Sequence, residues 1–304
     1  MKHRFVTLAA ATAACIGLTL ALVPGISTAQ DASLQPTVVD GVTGPDERFT
    51  SLVVVGRKNT YRRDGLYEAA FCGGTKVSAR RIITAAHCVI DDNGRPLPAG
   101  KIIVGSTPSG ELDATDAVVI NVRSVKIHPQ YNDDRATNDI AVLTLRTTLR
   151  GIPNVAIALP ADDESLLAPG EPLISAGWGA LRRNGTDYPN EYRVADVVAF
   201  PRGSCGRNAA YTVADVRFRG YPSSQANPRV MVCASGVSQD SIVDTCNGDS
   251  GGPLLGGTAE NQRLVGVVSW GPPRCASKRP GVYTRVSAMT DFLADTGVPI
   301  PPIG

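Results

Sequence analysis

The chain has 304 residues, and its 30 Lys and Arg against 28 Asp and Glu leave a formal net charge of +2. That balance offers no electrostatic footprint for nucleic acid or another polyanion. The length admits one large β domain or two small ones once a leader is set aside.

The leader comes first. Lys2 and Arg4 form a short positive region, residues 5–23 are apolar and alanine-rich, and Ser27-Thr28-Ala29 places small residues where cleavage after Ala29 is expected. Residues 1–29 therefore read as a signal peptide, and the mature protein as secreted and extracellular. Cys15 lies in the apolar run, but Thr12 stands where a lipid-anchored cysteine wants a large aliphatic residue. No other apolar run approaches membrane-spanning length, so no membrane association is expected.

Of seven cysteines, losing Cys15 leaves Cys72, Cys88, Cys205, Cys233, Cys246 and Cys275. An even number in an exported chain reads as three disulfides, with 15 pairings open at this level. Zinc is the rival use. No two cysteines are spaced C-x2-C and only two histidines follow the leader, so no metal site and no cofactor are expected.

Short Val- and Ile-rich runs bounded by Gly, Pro, Asn or Asp recur at 52–55, 102–104, 118–125, 140–145, 194–200, 264–270 and 282–286. They predict an all-β barrel or sandwich. Residues 57–70 and 205–233 read as long loops, and 153–172, with Pro160, Pro169 and Asp162-Asp163-Glu164, as a connector between two β halves. One helix is predicted over 287–295, capped by Ser287 and ended by Gly297, followed by an extended tail at 296–304. Asn184-Gly185-Thr186 fits a glycosylation sequon.

Chemistry concentrates in Asp244-Thr245-Cys246-Asn247-Gly248-Asp249-Ser250-Gly251-Gly252-Pro253. A serine hydroxyl is a poor nucleophile; it needs a base, and the carbonyl it attacks needs donors for its developing charge. Glycines around Ser250 permit a tight turn that pushes the hydroxyl outward. The base is most often histidine, whose ordinary pKa suits neutral pH. His87, in Thr84-Ala85-Ala86-His87-Cys88, follows a strand-like run and is tethered by a neighbouring cysteine, whereas His128, before Pro129, reads as part of a solvent-facing turn. Asp139 opens the apolar run Asp139-Ile140-Ala141-Val142-Leu143, where a buried charge requires a partner.

The order His87, Asp139, Ser250, with Gly177-Trp178-Gly179, Ser269-Trp270-Gly271 and Pro280-Gly281-Val282-Tyr283, resembles the chymotrypsin/trypsin family of serine endopeptidases over residues 38–295. The resemblance implies two antiparallel β-barrels, about 38–155 and 156–286, with a short C-terminal helix and the active site between the barrels. It suggests the bridges Cys72–Cys88, Cys205–Cys233 and Cys246–Cys275. It implies His87 as base, Asp139 as its orienter, Gly248 and Ser250 as oxyanion donors, and Ser269 as a hydrogen-bond partner of the buried aspartate beside the substrate cleft. Asp244, six residues before Ser250, matches the floor of the primary specificity pocket, and Gly271 and Gly281 match its walls. The implied activity is trypsin-like cleavage after Arg or Lys, with protein or peptide substrates and proteinaceous protease inhibitors as partners, by a monomer. Residues 30–37 would be a short propeptide, and Val38-Val39-Asp40-Gly41 resembles the activated N-terminus whose ammonium pairs with Asp249. Asp40 replaces a glycine of that motif, and Thr37 replaces the basic residue before the cut, so self-activation is not expected. Two other readings are a catalytically inactive binding protein on the same fold and a structural disulfide-rich module. The first predicts loss of a triad residue, and all three are present; the second leaves their co-occurrence unexplained.

Overall fold

The computed structural model describes residues 41–302, apart from Pro45, Glu47 and Thr50. The expected leader, the segment 30–37 and Val38 lie outside the described residues.

Six antiparallel strands form the first barrel: β1 (Leu52–Arg57), β2 (Ala70–Ser78), β3 (Arg81–Thr84), β4 (Ile102–Ser106), β5 (Val118–Ile127) and β6 (Ala141–Leu145). They close in the order β1-β2-β3-β6-β5-β4. Every residue from Leu52 to Gly56 is buried, which is why β1 reads as an unbroken apolar run without alternation. Ile82, Ile83, Leu143 and Leu145 are among the largest fully buried side chains, and each such aliphatic contributes about 1.5–3 kcal/mol through burial.

The second barrel contains β7 (Pro172–Gly177), β8 (Arg193–Ala199), β9 (Met231–Ser238), β10 (Pro253–Gly256), β11 (Arg263–Trp270) and β12 (Gly281–Arg285). The path β8-β7-β10-β11-β12-β9 is closed by pairing of Val198 and Ala199 with Ser235 and Ala234. All seven predicted β runs are strands, with ends shifted by one or two residues. The two closed antiparallel barrels are the fold that the motifs implied. Val42–Thr43 pairs with Arg193 and Val194, so this early segment is stitched to the second barrel. In the connector, Ala156–Ile157 already runs beside Arg263 and Leu264.

Three local readings are corrected. Residues 57–70 are not a loop: Lys58–Ala69 forms a helix, α1, broken at Gly65, where φ is +90°. It escaped sequence reading because only Leu66 and Ala69 are buried, leaving no apolar stripe to signal helical periodicity. The 205–233 stretch is also ordered. Tyr211–Val213 pairs with Val216–Phe218, and Tyr211 and Phe218 both set their rings 5.1 Å from that of Phe200. At the C-terminus a 3₁₀ turn, Val286–Met289, precedes the helix α2 (Thr290–Asp295). Ser287 lies inside that turn and caps nothing, while Gly297, at φ +76°, follows the helix end.

The disulfides are Cys72–Cys88, Cys205–Cys233 and Cys246–Cys275, the three implied by resemblance. Among the described residues no helix is long and apolar enough to cross a membrane.

Candidate active site

Strand pairing assembles the site. Thr84 in β3 lies opposite Ala141 in β6, so the turn carrying His87 and the residue Asp139 emerge at the same barrel edge. Asp139 is fully buried. One carboxylate oxygen accepts the His87 backbone N–H at 2.9 Å; the other lies 2.8 Å from His87 Nδ1 and accepts the Ser269 hydroxyl at 2.6 Å. A carboxylate only accepts, so Nδ1 carries the proton and Nε2 of the neutral ring is an acceptor. Burial lowers the His87 pKa, but the hydrogen bond and charge of Asp139 outweigh it, and the net shift is upward from 6.5.

Ser250 lies in the turn before β10. Its carbonyl accepts the Gly73 N–H at 2.8 Å, tying this second-barrel turn to β2 of the first. Cys88 Sγ touches both sides, 3.8 Å from His87 Nε2 and 3.6 Å from the Ser250 carbonyl. A disulfide sulfur has no S–H, so these are packing contacts that hold the two segments together. Gly251 permits the approach: a Cβ there would stand 2.2 Å from Thr84 Oγ1. Gly248 has φ +97°, a conformation side-chain-bearing residues rarely adopt. Neither the Gly248 nor the Ser250 N–H donates to any described residue, so both are available for an incoming oxyanion. Cys72, His87 and Cys88 place donor atoms within 4.8 Å of one another, yet both sulfurs are consumed in the bridge and provide no thiolate for a metal.

Asp244 is 1% exposed. Its two oxygens accept the N–H groups of Thr245 and Gly281, each at 2.8 Å. Burial dominates these bonds and raises its pKa to about 7. Gly281 allows this approach, since a Cβ there would meet Asp244 Oδ1 at 2.5 Å, and a Cβ on Gly271 would lie 4.0 Å from the Gly281 Cα. Asp249, fully buried, accepts from Gly179 and Cys246 N–H groups at 2.8 Å. Burial raises its pKa to about 6, and no cationic side chain among the described residues forms an ion pair with it.

The chain matches the Trypsin family model over residues 39–293. The chain belongs to the trypsin family of serine endopeptidases. It is 32% identical over 225 residues to a trypsin of Saccharopolyspora erythraea, covering 74% of this chain and 86% of that protein. It is 36% identical over 225 residues to Trypsin Tyr p 3.0101 of Tyrophagus putrescentiae, covering 73% and 70%. A third relative, trypsin alpha of Drosophila erecta, is 33% identical over 226 residues, covering 74% and 77%. As a member of this family the protein is a serine protease, a hydrolase acting on protein or peptide substrates.

In this trypsin-family chain two further residues brace the segment around Asp139, and Thr284 belongs to no motif read for the triad. Thr284, in β12, donates from Oγ1 to the Asp139 carbonyl at 2.8 Å. Asn138 takes a left-handed conformation, φ +53°, and its side chain donates to the Gln130 carbonyl at 2.9 Å. Thr284 is 145 residues from Asp139, and a partner at that separation leaves no local sequence signal. Replacing Thr284 by Val leaves a buried carbonyl without that donor. It is expected to cost about 1–3 kcal/mol of stability, read as a lower midpoint in denaturant unfolding; an unchanged midpoint would show that Thr284 does not brace Asp139. His128 differs from expectation. It is half-buried, with its ring 4.9 Å from that of Phe292, and burial lowers its pKa.

Proposed function

We propose that this protein is a secreted, monomeric endopeptidase that cleaves after Arg or Lys through Ser250, His87 and Asp139. Ser250 Oγ attacks the scissile carbonyl while His87 Nε2 takes its proton. Asp139 holds the ring in the tautomer that makes this possible and stabilises the imidazolium. The tetrahedral oxygen receives the Gly248 and Ser250 N–H groups. His87 then returns the proton to the departing amine, and water attacks the resulting acyl-enzyme by the same route. The observation that carries the triad is the buried Asp139 carboxylate, which accepts from Ser269 and the His87 backbone and lies 2.8 Å from His87 Nδ1.

Asp244 supports the specificity reading. A nearly inaccessible carboxylate, held by two backbone donors and the Ser235 side chain, is stabilised by an arriving guanidinium or ammonium and repels an apolar side chain. Asp249 supports the activation reading: removal of residues 1–29 and then 30–37 would free the Val38 ammonium to pair with a buried carboxylate that has no cationic partner among the described residues. Proteinaceous inhibitors would enter the same cleft as substrates. The catalytic unit would span 38–295, with 296–304 as a tail.

Paired chromogenic peptides test this reading, with Arg or Lys against Phe or Ala before the scissile bond. Strong preference for the basic pair is the expected result, and preference for Phe or Ala would discard the Asp244 assignment. The pH profile adds a second check. A general base must be neutral, so kcat should rise as pH rises, with a midpoint above 6.5 because the His87 pKa is raised. Ionisation of Asp244 at about 7 should lower KM in the same direction, for basic substrates only. A kcat independent of pH between about 5 and 8 would remove His87 from the mechanism.

A further inference from the structure

Arg285, the last residue of the strand that carries Gly281 and Thr284, and the turn after it border a cavity of about 770 Å³ that includes none of the residues assigned to catalysis or specificity. Its polar lining comprises Asp163, Glu164, Arg202, Arg229, Arg285 and Ser287. Arg285 is 6% exposed and Ser287 3%. Arg285 Nη1 donates to Asp163 Oδ2 at 2.9 Å. Three buried polar atoms of these lining residues make no hydrogen bond with any described residue: Arg285 Nε, Ser287 Oγ and Asp163 Oδ1.

Folded chains rarely leave buried polar atoms unsatisfied, and each such group needs an explanation. Three at one cavity define what would satisfy them. Arg285 Nε offers a donor, Ser287 offers a hydroxyl, and Asp163 Oδ1 needs a donor from the ligand. Charge points the same way. Three guanidiniums face two carboxylates, and exposed Arg202 adds to the effect of burial in depressing the Arg285 pKa, so an anion at this position relieves repulsion. Sulfate or a carboxylate supplies acceptors alone and would set an oxygen against Asp163 Oδ1. A phosphate that retains one proton supplies both, its anionic oxygens to the arginines and Ser287 and its O–H to Asp163.

We propose that this cavity is a phosphate-binding site that takes the protonated phosphate group, with Arg285, Arg202 and Ser287 as donors and Asp163 as the acceptor that rejects sulfate. Selectivity arises from the carboxylate: for a buried acceptor, a ligand without a proton leaves it unpaired.

The test is calorimetric titration of the full mature protein with inorganic phosphate and with sulfate at matched ionic strength. Phosphate is expected to bind saturably and sulfate at least ~10-fold more weakly, the size of effect of one mispaired charged hydrogen bond. Arg202→Gln, at an exposed position that should not disturb folding, is expected to weaken phosphate binding by about tenfold. Asp163→Asn, where it folds, should erase the preference over sulfate. Saturable binding of both ions alike, no saturable binding, or full binding to Arg202→Gln would each overturn the proposal; the second also covers a site filled by water alone. Competition by methyl phosphate at about pH 5.5, where the ester keeps a proton, would extend the site to phosphomonoesters. Its failure, with inorganic phosphate bound, would restrict the site to the free ion; either result supports the phosphate assignment.

Discussion

Replacing Ser250 by Ala is expected to lower kcat by roughly six orders of magnitude, the loss caused by removing the nucleophile from a Ser-His-Asp hydrolase. The change deletes one oxygen from a half-buried side chain. The backbone contacts that place the turn do not depend on it: the Ser250 carbonyl still accepts from Gly73, and the Gly251 N–H still donates to the Val268 carbonyl at 2.8 Å. The variant should therefore unfold at the same temperature as the parent and still bind basic peptides. Residual catalysis above the uncatalysed rate is expected from the Gly248 and Ser250 N–H groups, which alanine leaves in place. Turnover within about tenfold of the parent would require a different nucleophile.

Asp244→Ser is the second large effect. For Arg and Lys substrates it should remove roughly 3–5 kcal/mol of transition-state stabilisation, because the incoming cation then loses the buried carboxylate proposed to pair with it. That is about two to four orders of magnitude in kcat/KM, with hydrolysis after Phe or Ala unchanged or raised. Stability should move in the opposite direction. Burial raises the folded-state pKa of Asp244 to about 7 and of Asp249 to about 6. For a raised carboxylate the folded state holds the proton more tightly than the unfolded chain. The protein without substrate therefore loses stability as pH rises from about 4 to about 7. Removing Asp244 should make unfolding less sensitive to pH across that window. An Asp244→Ser variant that keeps its preference for Arg and Lys would move the pocket floor elsewhere.

Sequence legibility followed the physical range of each interaction. His87, Asp139 and Ser250 stood out as candidates because each sits in a local run with its own signature, a cysteine-tethered turn, an acidic residue heading an apolar strand, and a serine among glycines. Strands were readable because Val- and Ile-rich runs bounded by turn residues need no distant partner to be recognised. Disulfide pairing was not readable from spacing and came through the motif resemblance alone. The helix α1 was not readable because it buries only Leu66 and Ala69 and breaks at Gly65. The brace from Thr284 to Asp139 and the bond from Gly73 to Ser250 join residues far apart in the chain, so only closure of the two barrels brings them together. Ser287 looked like a helix cap; a 3₁₀ turn at Val286–Met289 buries it in a cavity wall instead.

The central claim is that Ser250, activated by His87 and Asp139, is the nucleophile of a protease that selects basic residues. Mass spectrometry after reaction with a peptidyl phosphonate bearing an Arg side chain tests it most directly. The account predicts one adduct, on Ser250, that forms faster as pH rises through the His87 titration and is slowed by excess Arg peptide. An adduct on another residue, or equal labelling by a phosphonate bearing a Phe side chain, would contradict it.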